Sequence, residues 1–397
     1  MKALVLASLL ITVVGAGQLN AGSWSGYVGI ESRTFTDSAL DTRQHDNYLS
    51  LSFQPEYFSE WDNRSQSLTF VPYFRTDQHD DERSHFDIRE LSWVKVARDW
   101  ELRVGIRKVF WGVTESQHLV DIINQTDLVE SPDSEEKLGQ PMINFAWIQD
   151  WGTLDFFLLP AFRERTFPGI NGRLRTQPRI DTSQSRFSAP DGNRHVDFAM
   201  RWSHYIDNWE FALAHFSGTS RDPDLLQGRD ASNAAVLIPL YQTIDQTSLE
   251  LQHVTDEWLW KLEAISRQGQ SGGRYTAAVG GFEYTFVGIA DSDADLGLIG
   301  EYHFDDRKQG APTPFNHDLM MGLRLSLNDV QSTEALFGLV VDLDTQTQLL
   351  SVEASRRVGD SMKLSLEGRF LNHVDARDPL YGYRQDNLMQ LSLDYYF

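Results

Sequence analysis

The sequence predicts an all-β protein: a transmembrane, antiparallel, up-and-down β-barrel of about 18 strands, with 16 as the alternative. Three observations lead there. Apolar and polar residues alternate along most of the chain, and the connections between alternating segments are themselves alternately short and long. The stretch 391–397 puts Leu391, Leu393, Tyr395 and Phe397 on one face of a strand, with Ser392 and Asp394 on the other. On an open soluble sheet such a strand invites aggregation. In a closed barrel it pairs with the first strand, and lipid solvates its apolar face.

The N-terminus agrees with export. Met1-Lys2, an apolar run over 3–16 and the small residue Ala21 form a secretory signal peptide, 1–21, too short to anchor in a membrane. Residues 22–397 then form one outer-membrane barrel domain. There is no Cys, so neither a lipidated N-terminal Cys nor a disulfide framework is available. The 391–397 pattern also resembles the C-terminal assembly signal of Gram-negative outer-membrane barrels. That resemblance implies location in the bacterial outer membrane, with its lipids, lipopolysaccharide and barrel-assembly machinery as partners.

After the signal, no window reaches the roughly 20 apolar residues of a spanning helix. Hydrophobic content of 41% and a mean hydropathy of −0.39 would suit a soluble domain. Barrels share that look, because lipid-facing and lumen-facing residues alternate. The 12% aromatic content fits interfacial girdles. A formal charge of −22 argues against nucleic-acid binding.

Strand starts are expected near 24, 47, 66, 85, 100, 142, 153, 195, 208, 242, 257, 274, 294, 317, 334, 347, 361 and 387. The clearest faces come late: Leu319, Met321, Leu323 and Leu325 oppose Met320, Gly322, Arg324 and Ser326. Charged and small residues inside, with apolar ones outside, is what a water-filled lumen requires. Strand four is ambiguous, because Phe86 and Ile88 favour one facing while Leu91 and Trp93 favour the other. If strand one rises from the periplasm, the short polar turns fall on that side. The long connections, near 112–141, 163–194, 218–241, 305–316 and 372–386, then face outside.

The third external connection is expected to fold inward and narrow the pore. Leu119, Val120, Ile122 and Ile123 cluster as on a short amphipathic helix, and an apolar cluster at an exposed loop tip is costly. Residues 113–140 carry seven acids against Lys137, and Glu115, Asp121, Asp127 and Glu130 are the expected constriction residues. The next connection carries seven arginines, among them Arg173, Arg175 and Arg179. The two loops are expected to meet across the mouth as an acidic constriction and a basic wall, since fixed charges select solutes by such fields. Arg103, Arg107, Arg324 and Arg369 are expected on the pore wall.

Arg89-Glu90-Leu91, Gly105, Trp111-Gly112, Asp121, Asn124 and Asp127 resemble the strand–strand–loop signature of a proteobacterial porin-like barrel family. That family is filed mainly under a domain of unknown function and is distantly similar to alginate-export and substrate-specific porins. The match covers about 40 residues, and the family has Asn-Pro where this chain has Asn124-Gln125. It implies an outer-membrane channel of unspecified solute.

Other motifs lack their context. Gly269-Gln270-Ser271-Gly272-Gly273 fits G-x-S-x-G, but strand alternation resumes at Tyr275 where a nucleophile elbow needs a helix. In Asp291-Ser292-Asp293-Ala294-Asp295, Leu296 occupies the required Gly position of a calcium loop. No cofactor, metal site or enzymatic activity is expected. The function expected is passive, charge-selective diffusion of small polar or anionic solutes. An export duct or assembly partner of a periplasmic machine is the alternative, and a barrel hydrolase comes third. A homo-oligomer is left open.

Overall fold

The structure, a computed structural model, describes residues 22–270 and 272–397. Residues 1–21, where a signal peptide is expected, and Ser271 lie outside the described residues. The first wall runs β1 (Ser23–Phe35), β2 (Asn47–Trp61), β3 (Gln66–Asp77), β4 (His85–Val96), β5 (Trp100–Arg107), β6 (Gln140–Gln149) and β7 (Gly152–Leu159). A short β8 (Arg186–Phe187) precedes β9 (Asp197–Ile206) and β10 (Trp209–Thr219). A hairpin of β11 (Asp224–Arg229) and β12 (Ala235–Tyr241) follows. Next come β13 (Thr243–Thr255), β14 (Trp258–Gln268), β15 (Tyr275–Phe286), β16 (Asp295–Asp305) and β17 (His317–Ser326). The last are β18 (Glu334–Asp342), β19 (Gln348–Val358), β20 (Met362–Asn372) and β21 (Leu388–Tyr396).

Eighteen of these strands pair antiparallel in sequence order, and β21 returns to β1 with Leu393 opposite Ile30 and Tyr395 opposite Val28. The sheet therefore closes without an edge. Each barrel strand begins within two residues of its expected start. The alternation at 235–241 belongs to the β11–β12 hairpin, which forms a separate three-stranded sheet with β8. That settles 18 strands against 16.

The short turns use residues that tolerate left-handed backbone: Asp62 and Asn63 between β2 and β3, Asp207 between β9 and β10, and Asp256 between β13 and β14, all at positive φ. Val28, Ile30, Leu319, Met321, Leu323, Leu391, Leu393, Tyr395 and Phe397 are exposed, whereas Glu31, Arg33, Glu301 and Met320 are buried. An apolar outer wall of this extent is solvated without cost only by lipid.

The ambiguity of the fourth strand has a structural cause. Val71 pairs with Glu90 and Pro72 with Ile88, so Arg89 is an extra residue in β4. This bulge lets Phe86 and Ile88 face outward before it and Leu91 and Trp93 after it.

Two expectations need correction. Residues 113–124 contain no helical turn. Backbone N–H groups of Val113, Thr114, Glu115, Ser116 and Val120 go instead to carboxylates on the barrel wall. The inner face is also not uniformly polar. Met142 of β6, Phe157 of β7, Phe216 of β10, Ile265 of β14 and Ala277 of β15 form a buried apolar cluster with Trp111, Val120, Ile122 and Ile123. The apolar part of the third external connection (loop 3, 108–139) covers that stretch of wall, so neither surface meets water.

Candidate functional site: a loop held inside the barrel

Loop 3 is fixed at one end by a buried ionic cluster. The inward positions of three strands within the β1–β4 stretch of wall supply it: Glu31 and Arg33 on β1, Tyr73 and Arg75 on β3, Asp87 and Arg89 on β4. Arg83, in the turn before β4, joins them. Arg33, Arg75 and Arg83 all pair with Glu31, at 3.0, 3.1 and 2.7 Å.

From the loop, Glu130 accepts from Tyr73 Oη at 2.8 Å and pairs with Arg75 at 2.9 Å. Asp127, fully buried, takes Arg89 at 2.6 Å and the Thr166 hydroxyl of the next external connection (loop 4, 160–196) at 2.6 Å. Backbone oxygens of Val129 and Glu130 accept from Arg83 and Arg33. Burial alone would raise the Glu130 carboxyl, but Arg75, Arg83 and Arg89 hold it below the usual carboxylate range.

The other end is fixed by two buried wall carboxylates. Glu263 of β14 accepts from Val113 N, Thr114 N and Thr114 Oγ1 through one oxygen, at 2.7 to 3.0 Å, and from Val120 N through the other at 3.2 Å. Glu301 of β16 accepts from Glu115 N at 2.7 Å and from Ser116 N at 2.9 Å, and the Ser116 hydroxyl also meets His303 Nε2. Following the strand pairings, β14 stands seven strands round the barrel from β4. Loop 3 thus touches walls on different sides of the lumen.

The residues that carried the family resemblance are concentrated at this loop. Asn124 accepts from Val109 N and donates to the backbone oxygens of Arg107 and Leu138, all at 2.8 Å, closing the loop neck. Gly105 lets β5 approach β4 closely: a Cβ there would lie 2.0 Å from Leu91 O. Trp111 enters the apolar cluster. Gln125, where the family has Pro, accepts from Arg165 Nε at 3.2 Å and so links loop 3 to loop 4. Burial pushes the Asp121 carboxyl up, against Lys137 at 3.2 Å.

The other expected residues are placed as follows. Glu115 pairs with Arg324 of β17 at 2.5 Å, and Arg324 also pairs with Glu283. Arg369 of β20 pairs with Asp133 of loop 3 at 2.5 Å and with Glu353 at 2.8 Å. Arg103 donates to Asn144 at 2.9 Å and pairs with Glu101. Arg107 makes no ion pair among the described residues, and its buried Nε lacks a partner.

Loops 3 and 4 do meet, through an Asp127–Thr166 bridge. Their opposed charges do not carry the contact. Arg173 pairs with Asp386 and Asp46, Arg175 with Asp41 and Arg179 with Asp230. Arg173 and Arg175 are buried, so they knit the external connections together. The reason is proximity: acids of neighbouring external connections lie nearer than those of loop 3, which the wall arginines already hold.

Sequence reasoning overlooked Glu31, Tyr73, Arg75 and Arg83. The signal was present in Glu31-x-Arg33 and Tyr73-x-Arg75, charged or polar pairs spaced by two on one strand face.

A closed 18-strand barrel with an apolar outer wall and a loop bonded inside it defines a porin-like transmembrane β-barrel. No protein-family model and no curated protein matches the chain. Among solved structures, a triple mutant of Rhodopseudomonas blastica porin is similar at 11% identity and a TM-score of 0.45, covering 95% of this chain and 100% of that one. Another, described as "Asymmetric conductivity of engineered proteins", is 10% identical with the same TM-score and coverage. Likeness at this level adds no argument to the strand pairing itself.

Proposed function

We propose that this protein is an outer-membrane channel for passive, charge-selective diffusion of small polar solutes, narrowed by residues 113–140. The observation that carries the reading is the course of loop 3, tied to β4 through Asp127 and to β14 and β16 through Glu263 and Glu301. A segment held on several walls reduces the free cross-section, and the charges on it set the field a solute crosses. Glu115, Asp121, Asp127 and Glu130 belong to that narrowing, with Arg324 and Arg369 facing it from the wall. A preference for anions has less behind it, because most of the expected arginines stand beside carboxylates. Reconstitution in planar bilayers tests the proposal. Steady ohmic conductance is expected, and a folded but silent barrel would sink it. The many anchors on loop 3 favour one second reading, an exit duct or assembly partner closed in isolation, which predicts that silence.

A further inference from the structure

Val109 and Trp111 of loop 3 pack into the apolar cluster on the wall, which leaves Lys108 and Phe110 turned toward the lumen. Among the described residues of loop 3, Phe110 is the one large apolar side chain that stays exposed, at 57%. The His118 ring stands against it nearly perpendicular, with the ring centres 4.7 Å apart, and covers only part of it. Lys108, two residues before Phe110, lines a cavity of about 320 Å³ between loop 3 and the wall of β1, β20 and β21, together with Glu136 of the same loop. An apolar ring left bare on the segment that narrows a water-filled pore is not accounted for by the packing of the loop.

Four charged side chains of the loop stand beside this ring, and they pair with one another. Lys108 Nζ lies 3.3 Å from Glu136, and His118 Nε2 lies 3.2 Å from Glu135. Glu135 and Glu263 keep the imidazole protonated at neutral pH. Two cations thus face two anions, and the frame carries no net charge of its own. It keeps hydrogen-bonding capacity, since an ammonium has three donors and a carboxylate about four acceptor sites. Glu135 and Glu136 are both exposed, so that capacity is open to a solute. Hydroxyls of Ser52, Ser365 and Ser392 line the cavity from the wall. An aromatic face with a few donors and acceptors set around it is how small-molecule sites are built.

We infer that Phe110 is a stacking platform in the constriction and that the channel binds a neutral saccharide on it. A pyranose ring has an apolar face of C–H groups and a rim of hydroxyls that both donate and accept. Its face covers Phe110 and releases the water held against the aromatic ring. Its hydroxyls meet the Glu135 and Glu136 carboxylates and the Lys108 ammonium. A charged solute would instead confront one member of each ion pair with a charge of its own sign. The inference rests on the channel reading above and adds a bound solute class to it.

The test is reconstitution of the exported chain in planar bilayers in KCl, for the wild type, F110A, F110L and F110W, with maltose added to one side. A polyethylene glycol of similar mass is the control for obstruction by volume alone. Gel mobility before and after heating checks that each barrel is folded. Maltose is expected to reduce the wild-type current saturably and at concentrations where the glycol has little effect. F110A and F110L, which lose the flat face, should raise the half-blocking concentration severalfold, while F110W keeps the block. A folded barrel with no conductance overturns the channel reading, and this inference with it. A conducting wild type that maltose blocks no better than the glycol overturns the inference alone, whether or not the variants fold. So does a maltose block unchanged in F110A and F110L. A stronger block by L-arginine or L-glutamate than by maltose overturns the neutral solute class.

Discussion

The Arg89 guanidinium lies 2.6 Å from the Asp127 carboxylate, with both side chains buried, at the one place where β4 carries an extra residue. The bulge sets Arg89 inward beside Asp87 and the Tyr73 ring, 4.5 Å from its centroid. The ring face favours a cation there, and the loop supplies the anion. Geometry that looks like an irregularity in the sheet is therefore the fixed point from which loop 3 departs.

Removing one member of a buried ion pair leaves the other charge uncompensated and costs about 3–5 kcal/mol. Arg89→Met and Asp127→Asn are each expected to lower the urea midpoint for the barrel in detergent or liposomes. The double variant R89M/D127N should recover part of the loss, since no lone charge remains. Strictly additive losses would show that the two residues are not coupled.

Glu263 accepts four hydrogen bonds from loop 3, three of them from backbone N–H groups. Glu263→Ala leaves those donors unsatisfied, at about 1–3 kcal/mol for each buried group. The loop should loosen from β14, giving larger and noisier single-channel steps, while Glu263→Gln keeps acceptor capacity and shows a smaller effect. Unchanged conductance in Glu263→Ala would mean that this end of the loop does not bound the pore.

His118 sits in loop 3, 3.2 Å from Glu135 and 3.9 Å from Glu263. Burial alone would lower its pKa, but the two carboxylates outweigh burial and push it up to about 10. A folded-state pKa above the unfolded value of about 6.5 contributes stability that is complete below that value. The contribution is lost as pH rises through about 10. Conductance should therefore grow between neutral pH and pH near 10, and His118→Asn should remove that dependence. A variant that keeps the wild-type pH profile would exclude His118 as its origin.

Arg173 is buried among the external connections. It pairs with Asp386 at 2.6 Å, donates to the backbone oxygens of Asp37 and Gln385, and lies over the Phe35 ring at 4.4 Å. Burial pushes the Asp386 carboxyl up, and the guanidinium works against that. Arg173→Ala should open the connections around 37–46, 160–196 and 373–387 to proteinase K while leaving the K⁺/Cl⁻ preference unchanged. A changed reversal potential with intact protease resistance would place Arg173 at the pore after all.

Much of the barrel was legible because strand facing is a local property. The side chains of Leu319 to Leu323 alternate by geometry alone, and Asp62, Asp207 and Asp256 mark turns by their own backbone preference. The bulge at Arg89 was legible only as a conflict between Ile88 and Leu91. Loop 3 was half legible. Its apolar residues gave away that it packs inward, yet their spacing suggested a helix that the wall carboxylates replace. Arg173 and Arg175 were read by charge alone as a face of the pore, and their partners proved to be acids of other external connections.

By itself the sequence determined where the strands begin, which face of most of them meets lipid, and which connections are long. Each of these follows from a period of two and from residues near in the chain. Tertiary structure alone decided which charges meet. Asp127 finds Arg89 thirty-eight residues away and Ser116 finds Glu301 at 185, because barrel closure brings walls together that no local pattern relates. The strand holding Leu391 and Leu393 is the simplest case: its outer face could be read in place, but its neighbour Ile30 is supplied only by closure.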